Sequence, residues 1–253
     1  MNRTVSALAL LLAAAAFSLT GEAHKAITSK HTYNADVYPI FASRCAHCHV
    51  TGGVGPMSLV TYADAFPWAE AIRAELLNGD AGEDFVKTAH GSLAARELDV
   101  VLDWAVGGTP EGDASKAPPP VSLKNDWAGA PPELVLRPAA PFQVPADTME
   151  LTRDFVLPSG LARERAVRAI DLLPGTPAVV RDAIVSIRMP DGATSIIGRW
   201  TPQQTPAAIA VTPGTTLPPG ADLIARIHYK KTWKYEGQPL TDQSALGLYF
   251  ADK

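Results

Sequence analysis

The chain contains only two cysteines, and they frame one short motif: Cys45-Ala46-His47-Cys48-His49. A cysteine pair in an exported protein ordinarily suggests a disulfide. The histidine directly after the second cysteine changes that reading, because C-x-x-C-H is the attachment signature of c-type haem. The chemistry accounts for the spacing. Two thiols add across the two haem vinyl groups, and a helical turn presents both to one porphyrin edge. His49 then sits under the iron as its proximal ligand. A thioredoxin-like redox pair would need a βαβ context, which the surrounding pattern lacks. His47, between the cysteines, reads as solvated.

The flanking residues predict helices. Asp36 is placed to cap a helix running into Cys45, with Pro39 in its first turn and Val37, Ile40 and Phe41 on its apolar face. After Gly55-Pro56-Met57-Ser58-Leu59, Thr61 and Asp64 have capping-box spacing. Pro67 then kinks or restarts a helix whose Trp68, Ile72 and Leu76 recur on one face, until Asn78-Gly79 ends it. A third helix is predicted over Ala95 to Val106, with Leu98, Val101, Leu102 and Ala105 as its buried stripe and Gly107-Gly108 as its stop. Helices on both sides of the motif predict a small all-α, class I cytochrome c domain over residues 24–108, with one haem c.

Arg3, the apolar run Ala7 to Phe17 and the small residues Gly21 and Ala23 have the order of a secretory signal peptide over residues 1–23, cleaved near Ala23. The mature protein is then expected in the periplasm or outside the cell, without a stable membrane span, since no later stretch is long and apolar enough. A formal net charge of −4 gives no reason to expect nucleic-acid binding.

Residues 109–132, with Pro118-Pro119-Pro120, read as a Pro/Gly-rich linker. Beyond it the pattern changes to short runs split by Pro and Gly: Glu133 to Leu136, Met149 to Leu157, Arg165 to Leu173, Val179 to Arg188, Leu223 to Lys231 and Ala245 to Phe250. Such spacing predicts an antiparallel β-sandwich over residues 133–253. The fold class expected is therefore α + β and multidomain.

The runs PMSLVTYADAFPWAEAI (Pro56 to Ile72) and ARELDVVLDWAVGGTPEGD (Ala95 to Asp113) resemble the bacterial cytochrome c domain that stands N-terminal to copper type II, ascorbate-dependent monooxygenase-like domains. Those partner domains are related to peptidylglycine α-hydroxylating monooxygenase. The resemblance extends, more weakly, to Ala166–Arg188 and Leu217–Gly237. It implies a jelly-roll-like sandwich for the second half. It also implies that the proline of a GPxL segment, here Pro56, offers its carbonyl to the ring N–H of His49, which places Met57 on the wrong face to be the distal ligand.

Two departures from the family follow. Its distal Met-Pro-Pro-Trp segment is replaced by Asn78-Gly79-Asp80-Ala81-Gly82. The sixth iron position is thus left to His90, to water or an open site, or to Met57 or another group. The copper-binding His-His pair aligns with Arg181-Asp182, and only His228 remains, with Arg226 and Lys230 expected on the same strand face. Two cations beside a lone histidine disfavour a bound dication, so no copper and no catalytic residue are expected.

The leading functional reading is electron transfer with a partner redox protein, the second half serving as a docking module. The alternatives are a copper-dependent monooxygenase fed electrons by the haem, and a haem sensor with an open distal site.

Overall fold

The computed structural model describes residues 26–78, 93–127, 129–202 and 208–251. The expected signal segment, the cleavage region at Ala23 and His90 lie outside the described residues.

The first helical stretch begins earlier than Asp36. A π-helical turn, Tyr33–Val37, leads directly into α1, Tyr38–Arg44, with Pro39 in its first turn. Asp36 turns back instead of capping forward: its carboxylate accepts the Thr32 N–H at 2.8 Å. Further on, α2 (Tyr62–Ala65) starts from Thr61, whose hydroxyl accepts the Asp64 N–H at 3.1 Å. Pro67 does restart the chain, within a single 3₁₀ turn over Phe66–Trp68, before α3 (Ala69–Asn78). Finally α4 spans Ala95–Val106, the predicted boundaries, and its last turn closes when the Gly107 N–H bonds the Asp103 carbonyl at 2.9 Å.

The buried stripe of α4 differs from expectation. Val100, Val101, Trp104 and Ala105 are buried, while Leu98 and Leu102 are only half-buried. Trp104 is fully enclosed by Tyr33 and Phe41, with ring centroids at 6.0 and 6.3 Å. Its indole N–H is satisfied by the Pro110 carbonyl at 3.1 Å. A bulky ring with a satisfied polar handle out-competes leucine for the centre of a small core.

The second half is built from antiparallel strands. One sheet has the order β1 (Leu134–Leu136), β11 (Ala245–Phe250), β4 (Arg165–Leu173), β7 (Ile209–Ala210), with β8 (Thr216–Leu217) also pairing β4. A second has the order β3 (Glu150–Pro158), β9 (Asp222–Lys230), β5 (Val180–Arg188), β6 (Thr194–Trp200). A short ribbon joins β2 (Phe142–Val144) to β10 (Leu240–Asp242). The two larger sheets share one core: Ile170, Leu172, Leu246 and Leu248 of the first pack with Val185, Leu223, Ile227 and Tyr229 of the second. Alternation on β9 fixes the faces: Leu223, Ala225, Ile227 and Tyr229 turn inward, and Arg226, His228 and Lys230 outward.

The connecting segment is pinned. The Tyr38 hydroxyl donates to the Pro119 carbonyl at 2.8 Å and accepts the Val121 N–H at 3.0 Å. Leu123 packs against the helical core. Among the described residues no helix is long and apolar enough to cross a membrane.

Trp104→Ala is expected to lower unfolding stability by about 3–5 kcal/mol, as emptying a fully enclosed indole site does. A urea midpoint equal to that of the parent chain would show that the aromatic cluster does not centre this core.

Candidate functional site

Residues 45–49 continue the path of α1 as a turn. Cys45 N–H bonds the Phe41 carbonyl at 2.9 Å, and His49 N–H bonds the Cys45 carbonyl at 2.8 Å. The turn brings two free thiols and one imidazole onto a single short segment, with Cys48 buried and Cys45 half-buried. Burial, followed by the neighbouring Cys48, pushes the Cys45 thiol up to about 12. Burial likewise raises Cys48 to about 11, against a lowering by the positive charge of Arg181.

His49 is held from behind. Its Nδ1 lies 3.1 Å from the carbonyl oxygen of Met57. Burial moves its proton affinity down, the Met57 hydrogen bond opposes this, and Arg181 adds to the lowering. A neutral ring that donates from Nδ1 to a carbonyl keeps the Nε2 lone pair available to a metal. The loop carrying Met57 is fastened at both ends, by Gly55 N–H to the Cys48 carbonyl (2.8 Å) and Leu59 N–H to the His49 carbonyl (2.9 Å). Tyr33 adds a third tie, donating its hydroxyl to the Leu59 carbonyl at 2.9 Å. Gly55 permits this closeness: a Cβ there would stand 2.8 Å from His49 Nδ1 and 2.9 Å from its Cγ.

The acceptor carbonyl is therefore Met57's, and the expectation for Pro56 is corrected. The reason is spacing. In GPxL the residue whose carbonyl accepts the bond precedes leucine by two residues, whereas Gly55-Pro56-Met57-Ser58-Leu59 holds one residue more. With Leu59 tied to His49, the position two residues before it is Met57. A second correction concerns His47, which is half-buried beside Leu123 and Lys124 rather than solvated.

The β half closes on this loop. An open cleft of about 500 Å³ is lined by Gly53, Gly55, Met57 and Trp68 on one side and by Trp233 and Tyr235 on the other. The Trp68 and Trp233 rings meet at 6.3 Å. Arg181, on β5, supplies the positive charge that lowers both Cys48 and His49. Sequence reasoning assigned Arg181 only as the replacement of a histidine and gave it no role.

His228 faces outward from β9 between two carboxylates, with Nδ1 2.8 Å from Asp182 and Nε2 2.9 Å from Glu150. Lys230 bonds Glu150 at 3.0 Å, and Arg226 makes a two-pronged pair with Asp154 at 2.8 and 2.9 Å. The flanking cations are thus neutralised, and both ring nitrogens of His228 are engaged by carboxylates. Among the described residues no group of three or more His, Cys, Asp or Glu side chains is arranged to hold a metal ion.

Comparison with models of known families and with curated proteins finds no match to this chain.

Two outcomes follow from this geometry. Gly55→Ala should push the loop off the His49 ring and lower the urea midpoint by an amount equivalent to about 1–3 kcal/mol; an unchanged midpoint would mean that the loop is not seated on the ring. The outer ladder sets a pH dependence. Hydrogen bonds from Lys230, then from His228, hold Glu150 below its ordinary value of 4.5, and Arg226 does the same for Asp154. A carboxyl lowered on folding contributes stability above its unfolded value, and that contribution is lost as pH falls through the folded value. Unfolding midpoints measured from pH 6 down to pH 3 should therefore drop less steeply in Glu150→Gln than in the parent, with a small difference that salt screens. Parallel curves would remove Glu150 from the ladder's energetics.

Proposed function

We propose that this chain is an exported c-type cytochrome, with one haem held by Cys45, Cys48 and His49, that passes single electrons to or from a partner redox protein. The observation that carries the reading is the His49 ring, which is half-buried, oriented by the Met57 carbonyl at 3.1 Å and placed one residue from the second of two free thiols. The donor set fits the group: two free thiols three residues apart on one turn, and one imidazole whose Nε2 is left for iron. A haem bound there supplies a one-electron iron couple.

The rest of the chemistry belongs to the chain. Cys45 and Cys48 fix one edge of the group, so it stays bound in either oxidation state. The Met57 carbonyl holds the proton on Nδ1, sets the ring plane of His49 and makes it a better donor. The described helices form the proximal wall of a class I cytochrome c domain, and the two facing sheets are read as the jelly-roll-like sandwich of the monooxygenase-like family. That sandwich serves as a docking module, because His228 spends both nitrogens on Asp182 and Glu150.

The test is an absorption spectrum of protein made in cells competent for haem attachment, oxidised and reduced, with and without carbon monoxide. A c-type spectrum that survives denaturation, and is lost in the Cys45→Ala, Cys48→Ala double variant, is expected. Its absence would end the proposal. A reduced spectrum indifferent to carbon monoxide supports electron transfer; one that shifts would replace it with small-ligand sensing. Met57→Ala should leave the His49-dependent spectrum unchanged, since the contact is made by the main chain.

A further inference from the structure

Residues 110–121 cross the π-helical turn Tyr33–Val37 as a strap fastened at both ends. At one end the Tyr33 N–H bonds the Pro110 carbonyl and the Asn34 N–H bonds the Glu111 carbonyl, both at 2.9 Å. At the other, the Tyr38 hydroxyl holds the Pro119 carbonyl at 2.8 Å. Between these fastenings lies a recess of about 220 Å³, walled by Tyr33, Tyr38, Val60, Tyr62, Ala117 and Pro118. The hydroxyls of its three tyrosines already donate to the carbonyls of Leu59, Pro119 and Thr109, so they offer the recess no unspent donor. Asn34, on the same wall, differs from them. It is 4 % exposed, and its Nδ2 finds no hydrogen-bond partner among the described residues. A buried amide N–H without an acceptor is costly. It is carried on a π-helical turn, a rare geometry that recurs at functional sites.

Charge and size narrow the occupant. The charged residue lining the recess is Glu111, which is exposed, and no lysine or arginine lines it among the described residues. An anion therefore has nothing to pair with, and the apolar wall disfavours any charge. A cavity of about 150 Å³ holds one benzene ring, so this recess has room for one ring and a small substituent.

We propose that the recess is a binding site for a small, uncharged, single-ring molecule with one carbonyl group. The ring packs on the tyrosines and Val60, and the carbonyl oxygen accepts the Asn34 Nδ2–H. Neither the recess nor the amide depends on the haem reading above. An occupant lies against Tyr33, which fastens the Met57 loop through the Leu59 carbonyl.

The test titrates the full chain with acetophenone and with α-methylstyrene, a molecule of the same shape with a methylene in place of the carbonyl oxygen. Binding is read by ligand-observed NMR. Acetophenone is expected to bind saturably, and benzoate should not displace it. Asn34→Leu should weaken acetophenone about tenfold, the worth of one hydrogen bond, and leave α-methylstyrene unweakened. Ala117→Trp, on the exposed strap, should fill the recess and abolish binding of both. In the parent chain the Asn34 side-chain amide resonance should move with acetophenone and stay in place with α-methylstyrene, a readout that holds even if the leucine variant does not fold. Absence of saturable acetophenone binding would overturn the proposal. So would an unmoved Asn34 resonance, equal losses for the two ligands in Asn34→Leu, or undiminished binding in Ala117→Trp.

Discussion

One hydrogen bond organises the helical half, the 3.1 Å contact between His49 Nδ1 and the Met57 carbonyl. An imidazole has two nitrogens, and what one bonds decides what the other can do. Tying Nδ1 to the main chain makes the orientation of the ring depend on backbone geometry, which is stiffer than any side-chain partner. The surrounding ties serve that geometry. Leu59 returns its N–H to the His49 carbonyl, Tyr33 holds the Leu59 carbonyl, and Tyr33 in turn leans on Trp104 at the centre of the aromatic cluster. A path of direct contacts thus runs from the core of α4 to the ring at the motif.

The β half depends on a different rule, strict alternation. Inward Leu223, Ala225, Ile227 and Tyr229 make the core, and outward Arg226, His228 and Lys230 meet Asp154, Asp182 and Glu150 on neighbouring strands. Exposed pairs of this kind contribute little each. Their effect is to fix register, since a slip of one residue would turn the whole ladder into the core. A buried ion elsewhere has a different function: Lys231, enclosed at the end of β9, donates to the carbonyls of Pro145, Ala146 and Gln238 and so closes two loops onto the strand.

Much of this was legible from residue order, where one periodicity dominated. The helix Ala95–Val106 and the strands Arg165–Leu173 and Ala245–Phe250 have the predicted limits, because apolar spacing and Gly or Pro stops agreed there. The strand Thr194–Trp200 was not foreseen. It is mostly exposed, so it shows no burial pattern, and its Gly198 is a packing requirement: a Cβ there would stand 2.6 Å from Ile170 Cδ1. The two-residue strands at Ile209 and Thr216 are too short to have any period. At the site, the motif itself was plain, but the acceptor moved from Pro56 to Met57 because one extra residue separates the proline from Leu59. Arg181 left no trace in local sequence. Its position arises from pairing between strands far apart in the chain, and no period records that.

Opposite β9 the register of β5 slips by one residue at Arg181, with a consequence for chain length. On either side of Arg181 the ladder is regular, with Val180 opposite Tyr229 and Asp182 opposite His228, inner beside inner and outer beside outer. Excise Arg181 and the two stretches would join into one unbroken strand, every other side chain keeping its face. The strand is thus a residue longer than its pairing with β9 requires, and that surplus residue is a half-buried cation whose Nε finds no hydrogen-bond partner among the described residues.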